Sequence, residues 1–169
     1  MAGGGCGGGR AGGGGGGVPG GGPGLGRAFA RDPASLGARV QIGGRRLEPL
    51  LQSAEASPDG RIEAAACDIR EEDQVNALID DVLARHGRLD LLVNNAGGQF
   101  LSAADDITPK RVRTVQRLNV EATWLSTHAV AHQTLLQARP GTIVKITTTP
   151  AHSPRDMPHS TQTHARIGN

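Results

Sequence analysis

Three groups of residues have types and spacing that chemistry could use. The first is Gly20-Gly21-Gly22-Pro23-Gly24-Leu25-Gly26, a GxxxGxG spacing that runs directly into a helix-forming segment. Glycines at such a turn let the main chain approach a pyrophosphate, and the helix N-terminus favours its negative charge. The second is Arg45-Arg46, placed just after a short β-branched run and Gly43-Gly44. In dinucleotide folds an acid after the second strand holds a ribose hydroxyl, whereas arginines there suit a 2′-phosphate. The third is Asn94-Asn95-Ala96-Gly97 at the end of an apolar run. Asparagines there stabilise a turn through bonds to the main chain, and small residues leave room for a flat ligand.

Each group also has a plainer reading. Of the 26 glycines, 17 fall within residues 1–26, so any glycine spacing arises there by composition alone. Arg45 and Arg46 also suit a solvated loop. What joins the groups is the order of elements between them.

Residues 1–17 are almost wholly glycine, with Ala, Arg, Cys and Met. Such a tail buries too little apolar surface to offset backbone entropy and is expected to be disordered. Residues 18–169 form the expected domain. The pattern predicts a helix over 25–36, a strand over 38–42, a helix over 46–56 and a strand over 61–67. Val75, Leu78, Ile79, Val82 and Leu83 mark one buried face of a helix over 71–86. A strand over 89–93 follows. Thr108-Pro109 is an N-cap with proline at the first helical position and opens a long helix toward Gln137. Residues 142–147 read as a β-branched strand. Regular alternation of this kind predicts an α/β fold with a parallel sheet and helices on both faces. Ligands of such sheets sit at the carboxyl ends of the strands, where the three groups fall.

Composition narrows the function classes. The formal net charge is +2 and the basic residues are dispersed, unlike a nucleic-acid footprint. Cys6 and Cys67 form no CxxC pair and read as free thiols of a reducing compartment. No stretch reaches the ~20 apolar residues of a membrane helix. The N-terminus has no signal-type apolar run, and Arg166-Ile167-Gly168-Asn169 is not a peroxisomal address, so the expected location is the cytoplasm. His152, His159 and His164 form no tight HxxxH pair, and no metal site is expected from them.

Asn94-Asn95-Ala96-Gly97 resembles the NNAG motif of the short-chain dehydrogenases/reductases. Gly20, Gly24 and Gly26 match that family's TGxxxGxG, with Pro19 at the threonine place. Cys67-Asp68-Ile69, Leu118-Asn119-Val120 and the strand from Gly141 to Thr148 match further landmarks, so the resemblance covers residues 18–169. It implies a three-layer Rossmann fold that binds a nicotinamide dinucleotide. By resemblance Gly20, Gly24, Leu25 and Gly26 take the pyrophosphate, and Arg45 and Arg46 a 2′-phosphate, which favours NADP. Asp68 and Ile69 take the adenine, and Asn94, Asn95, Ala96 and Gly97 line the cofactor. Asn119 holds a relay water, and Thr148 donates to the substrate oxygen. The stretch Asn95 to Ser102, with Met157-Pro158-His159-Ser160, is similar to trans-2-enoyl-CoA and 2,4-dienoyl-CoA reductases. The implied substrate is then an acyl-CoA thioester, with no nucleic-acid or membrane partner, and the intact family forms homo-oligomers.

The chain departs from the family pattern in four places. The stretch before Gly20 is glycine where the family has an apolar first strand, which predicts loss of the central strand. Pro33 interrupts the first helix, at ~3 kcal/mol. No tyrosine occurs in the chain, so the family's Tyr-xxx-Lys pair is replaced by Ser160 and His164, or by Arg166 in a shifted alignment. The later strands and substrate-covering region are also missing, so the expected fold is incomplete at both ends. These departures leave two other readings open: a non-catalytic fragment, and a 3-ketoacyl or other carbonyl reductase.

Overall fold

The computed structural model describes residues 15–19, 24–57, 60–98, 102, 104–134 and 140–147. The β-branched and aliphatic runs expected as strands form β2 (Arg39–Gly44), β3 (Ile62–Ala66), β4 (Leu91–Asn94) and β5 (Thr142–Lys145). A further strand, β1 (Gly15–Pro19), lies at the centre of the sheet. All pairings are parallel and the order is β3-β2-β1-β4-β5. The chain reverses direction across the sheet between β1 and β4, and that reversal opens a crevice at the strands' carboxyl ends.

The presence of β1 corrects the sequence-based expectation of a lost central strand. Gly15, Gly16 and Gly17, three residues of the stretch expected to be disordered, pair with Arg39, Val40 and Gln41. Gly16 and Gly17 also pair with Leu91 and Leu92. A parallel ladder is made by main-chain N–H and C=O groups, so a strand without side chains can still complete it. What glycine forfeits is side-chain packing and a favourable backbone entropy. The first fourteen residues lie outside the described part.

Helices cover both faces. On one face α1 (Leu25–Ser35) and α2 (Leu47–Glu55) pack on the sheet. Ala30, Ala34 and Leu50 meet Val40, Ile42, Ile62 and Val93 there. On the other, α3 (Glu72–His86) and α5 (Ala122–Gln133) bury Val75, Ile79, Val82, Ala129 and Val130 against Leu89 and Leu92. Alternation along β4 sends Leu92 to one cluster and Val93 to the other. Gln41 is a polar exception on the second face. Its amide nitrogen donates to Glu63 O at 3.2 Å and its oxygen accepts from Arg85 of α3 at 2.8 Å, so its burial leaves it satisfied.

Pro33 lies inside α1, as expected, and the helix ends two residues later. One helical expectation changes. The single long helix expected after Thr108 is divided into α4 (Pro109–Gln116), a π-helical turn (Arg117–Glu121) and α5. Thr108 caps α4, accepting from Arg111 N–H at 3.3 Å. The termination of α3 follows the sequence closely: Gly87 takes φ 73° and its N–H bonds Leu83 O at 2.8 Å.

Candidate functional site

At the carboxyl ends of β2, β3 and β4 lies an open cavity of about 380 Å³. Gly43, Gly44, Arg45 and Arg46 form one side, Cys67, Asp68 and Ile69 a second, and Asn95, Ala96 and Gly97 a third. Pro49, Leu50 and Leu118 complete it. Seven residues separated by up to about fifty positions in sequence, and expected to meet, do so here: Arg45, Arg46, Asp68, Ile69, Asn95, Ala96 and Gly97.

Among the described residues Asp68 is the one carboxylate lining the cavity, and Arg70 holds it. The guanidinium grips both carboxylate oxygens, with Nε on Oδ1 at 2.8 Å and Nη2 on Oδ2. The Arg70 N–H donates to Oδ1 at 3.1 Å. From the other side, Asp68 N–H donates to Gln74 Oε1 at 2.8 Å. The hydrogen bonds from Arg70 hold the carboxyl down to about 2, with Arg45 adding a smaller push in the same direction. Asp68 is therefore anionic throughout the neutral range. Its neighbour Cys67 behaves oppositely. Burial first, and the charge of Asp68 second, push its thiol up to about 11. A neutral buried thiol is not a nucleophile.

Both arginines at the end of β2 are exposed, and Arg46 stands as the residue before α2 with extended backbone. A short strand end followed by a helix start thus presents two cations at the cavity rim. An anion there meets guanidinium forks and the positive end of α2 together.

The π-helical turn ties two walls of the cavity. Arg117 Nη2 donates to Arg70 O at 3.2 Å and to Glu71 Oε1 at 2.9 Å. Leu118 enters the lining. Asn119, 2% exposed, bonds Gly98 twice: Oδ1 accepts from Gly98 N–H and Nδ2 donates to Gly98 O, both at 2.9 Å. The Asn119 side chain is committed to this loop. A Cβ at Gly97 would stand 3.3 Å from Asn119 Oδ1, and one at Gly98 3.0 Å from Leu118 Cδ2. Small residues here are matched to the turn that clasps them.

Other sequence-derived site residues fall elsewhere. Asn94 is buried below the cavity lining, where its amide donates to Thr127 Oγ1 at 3.1 Å and joins β4 to α5. Gly24 begins α1 with φ 86°, and its carbonyl accepts from Arg27 N–H at 3.2 Å. Gly26 is buried and Leu25 is 65% exposed. None of these three lines the cavity. Gly20, Thr148, Ser160 and His164 lie outside the described residues. Sequence reasoning passed over Arg70 and Arg117, whose partners include groups on other elements; a carboxylate with an arginine two positions on was the available signal for Arg70.

The chain's sequence and fold have matches among known proteins. Residues 18–159 fit the family model described as short chain dehydrogenase. The chain belongs to the short chain dehydrogenase family. Its fold matches a short chain dehydrogenase of Bacillus anthracis with TM-score 0.87 and 27% identity, over 91% of this chain and 65% of that one. A 3-ketoacyl-(acyl-carrier-protein) reductase of Brucella melitensis, solved with NADH, matches with TM-score 0.83 and 25% identity, over 92% and 65%. A probable 2,4-dienoyl-CoA reductase of Bacillus subtilis is 29% identical over 127 residues, 74% of this chain and 50% of that protein. The chain thus spans about half the length of that curated relative.

Short chain dehydrogenases use NAD or NADP. The residues present fit the adenosine end of such a cofactor: an anionic carboxylate, a rim of two arginines and a cavity within the ~300–1,000 Å³ of small-molecule sites. Among the described residues no helix is long and apolar enough to cross a membrane.

Proposed function

We propose that this short chain dehydrogenase binds NADP in the cavity and reduces an enoyl-CoA-type thioester slowly. The observation that carries the reading is the placement of Arg45 and Arg46 on the same rim as Asp68, whose charge Arg70 already engages. Arg45 and Arg46 take the 2′-phosphate. Asp68 and Ile69 meet the adenine, and Asn95, Ala96 and Gly97 face the cofactor's body, with Asn94 and Asn119 holding their loop in place. When bound, the reduced nicotinamide supplies the hydride. The acyl-CoA assignment is supported by the likeness to the 2,4-dienoyl-CoA reductase and by the Asn95 to Ser102 segment.

A second reading, binding without turnover, is favoured by one fact: the chain contains no tyrosine. Under the first reading Thr148, Ser160 and His164 are the hydroxyls and base left for proton transfer. The test follows NADPH absorbance with purified chain, offering crotonyl-CoA and a 3-ketoacyl-CoA in parallel. Slow consumption with crotonyl-CoA in excess of the keto substrate supports the first reading. Preference for the keto substrate contradicts the enoyl assignment, and NADPH binding without any consumption establishes the second reading.

A further inference from the structure

Strands β2 and β3 end side by side. Their last paired residues are Gly44 and Ala66, and Cys67 N–H donates to Gly44 O at 3.0 Å one step further on. The chain therefore leaves β2 as Arg45-Arg46 and β3 as Cys67-Asp68, next to each other in the cavity lining. Two cations and a carboxylate thus share the end of the cavity to which the 2′-phosphate is assigned. Opposite charges at close range attract. An arginine drawn onto a carboxylate is lost to a phosphate, because both ligands want the same guanidinium fork.

The carboxylate is engaged by Arg70 instead. Its guanidinium and its main-chain N–H together make three bonds to the Asp68 oxygens, out of a carboxylate's roughly four acceptor sites. Arg70 is itself fixed, since its carbonyl accepts from Arg117 Nη2 at 3.2 Å and Asp68 O accepts from Glu71 N–H at 3.0 Å. The next acid, Glu71, is paired with Arg117 at 2.9 Å. Both acids beyond β3 are thus held by arginines outside the rim, and among the described residues no ion pair engages Arg45 or Arg46. Arg45 is nonetheless within electrostatic reach of Asp68, whose carboxyl its charge helps to hold down.

We propose that Arg70 is a positioning residue for cofactor choice: by closing the Asp68 carboxylate it keeps Arg45 available to the 2′-phosphate. This rests on the reading that NADP lies in the cavity, and adds that its discrimination depends on a residue acting through Asp68. The charges of Asp68 and Arg70 cancel, so Arg45 and Arg46 face a phosphate that carries about −1.5 to −2 near pH 7. Without Arg70, Asp68 is an unpaired anion beside Arg45. It then competes with the phosphate for that guanidinium and repels the phosphate directly.

The test is isothermal titration of the full chain with adenosine 2′,5′-bisphosphate and adenosine 5′-monophosphate, probes that differ by the 2′-phosphate alone. The quantity read is the ratio of their affinities. Arg70→Leu should lower that ratio about threefold or more, within the reach of one exposed ion pair. Adding Asp68→Asn to Arg70→Leu should restore the ratio, because the competing carboxylate is gone. A merely structural role of Arg70 would weaken both probes alike and leave the ratio in place. Asp68→Asn alone keeps the side chain's shape and serves if Arg70→Leu does not fold. It weakens both probes at the adenine, but the ratio should hold or rise. A ratio unchanged in Arg70→Leu, unrestored in the double variant, or lowered by Asp68→Asn overturns the inference while the NADP reading stands. A wild-type ratio near one overturns that reading and the inference with it.

Discussion

Asn119 grips Gly98 by both of its main-chain polar groups, so that a buried side chain on a π-helical turn fixes the loop that follows β4. The turn also reaches Arg70 O through Arg117, and it therefore spans the walls that carry Asp68 and Asn95 to Gly97. Replacing Asn119 by alanine removes two bonds worth ~1 kcal/mol each and leaves buried groups unpartnered. Asn119→Ala should lose about 2 kcal/mol, a fall in Tm of roughly 4–8 °C for a chain of this size. Nucleotide affinity should fall as well. Thermal unfolding and a cofactor titration check both, and an unchanged Tm would show that the clasp contributes nothing.

The glycine strand makes an opposite prediction. A Cβ placed on Gly17 would meet Leu89 Cδ1 at 3.7 Å and Leu92 Cδ1 at 4.0 Å, ordinary contact distances. The alanine side chain would fill space beside the core while restricting the unfolded chain. Gly17→Ala should therefore stabilise by about 0.4–1 kcal/mol in urea unfolding. Removing residues 1–17 should destabilise the fold relative to removing 1–14, because only the longer deletion takes Gly15 to Gly17 from the sheet. Equal stability of the two deletions would mean that these pairings contribute nothing.

Acid should expose the Asp68–Arg70 pair. The folded carboxyl is held at about 2, below the ~3.9 of an unfolded aspartate. A depressed folded value contributes stability that is present above the unfolded pKa and lost as pH falls through the folded one. The stability difference between wild type and Arg70→Leu should thus be largest above about pH 5 and shrink toward about pH 2. Urea unfolding at several pH values measures it; a difference independent of pH would refute the assignment.

Turnover should be low. A missing general acid typically removes ~10²–10⁴ in rate, against ordinary enzymes at 1–10³ s⁻¹. The chain has no tyrosine to supply one. NADPH consumption with crotonyl-CoA should accordingly stay below about 1 s⁻¹. A rate at or above that value would mean that a hydroxyl or imidazole of this chain replaces the phenol fully.

Much of this was legible in the sequence because local signals agreed with the global fold. The stripe from Val75 to Leu83 and the cap at Gly87 placed α3 within a residue, and Arg45-Arg46, Asp68-Ile69 and Asn95 to Gly97 were brought together as their order implied. The misses have a common cause. β1 was read as lost since its side chains carry no strand signal, whereas its stability comes from main-chain bonds to Arg39–Gly43 and Leu91–Leu92. The partners of Asn94 and Asn119, Thr127 and Gly98, were not legible either, because they lie on other elements and the π turn that carries Asn119 is announced by no hydrophobic period.

The central claim is that the rim arginines read a 2′-phosphate. Isothermal titration of the purified chain with NADPH and with NADH, repeated on Arg45→Asp, tests it directly. The account predicts tighter binding of NADPH by wild type, and a variant whose preference moves toward NADH while its circular dichroism stays the same. Equal affinities in wild type, or an NADPH preference that survives Arg45→Asp undiminished, would contradict it.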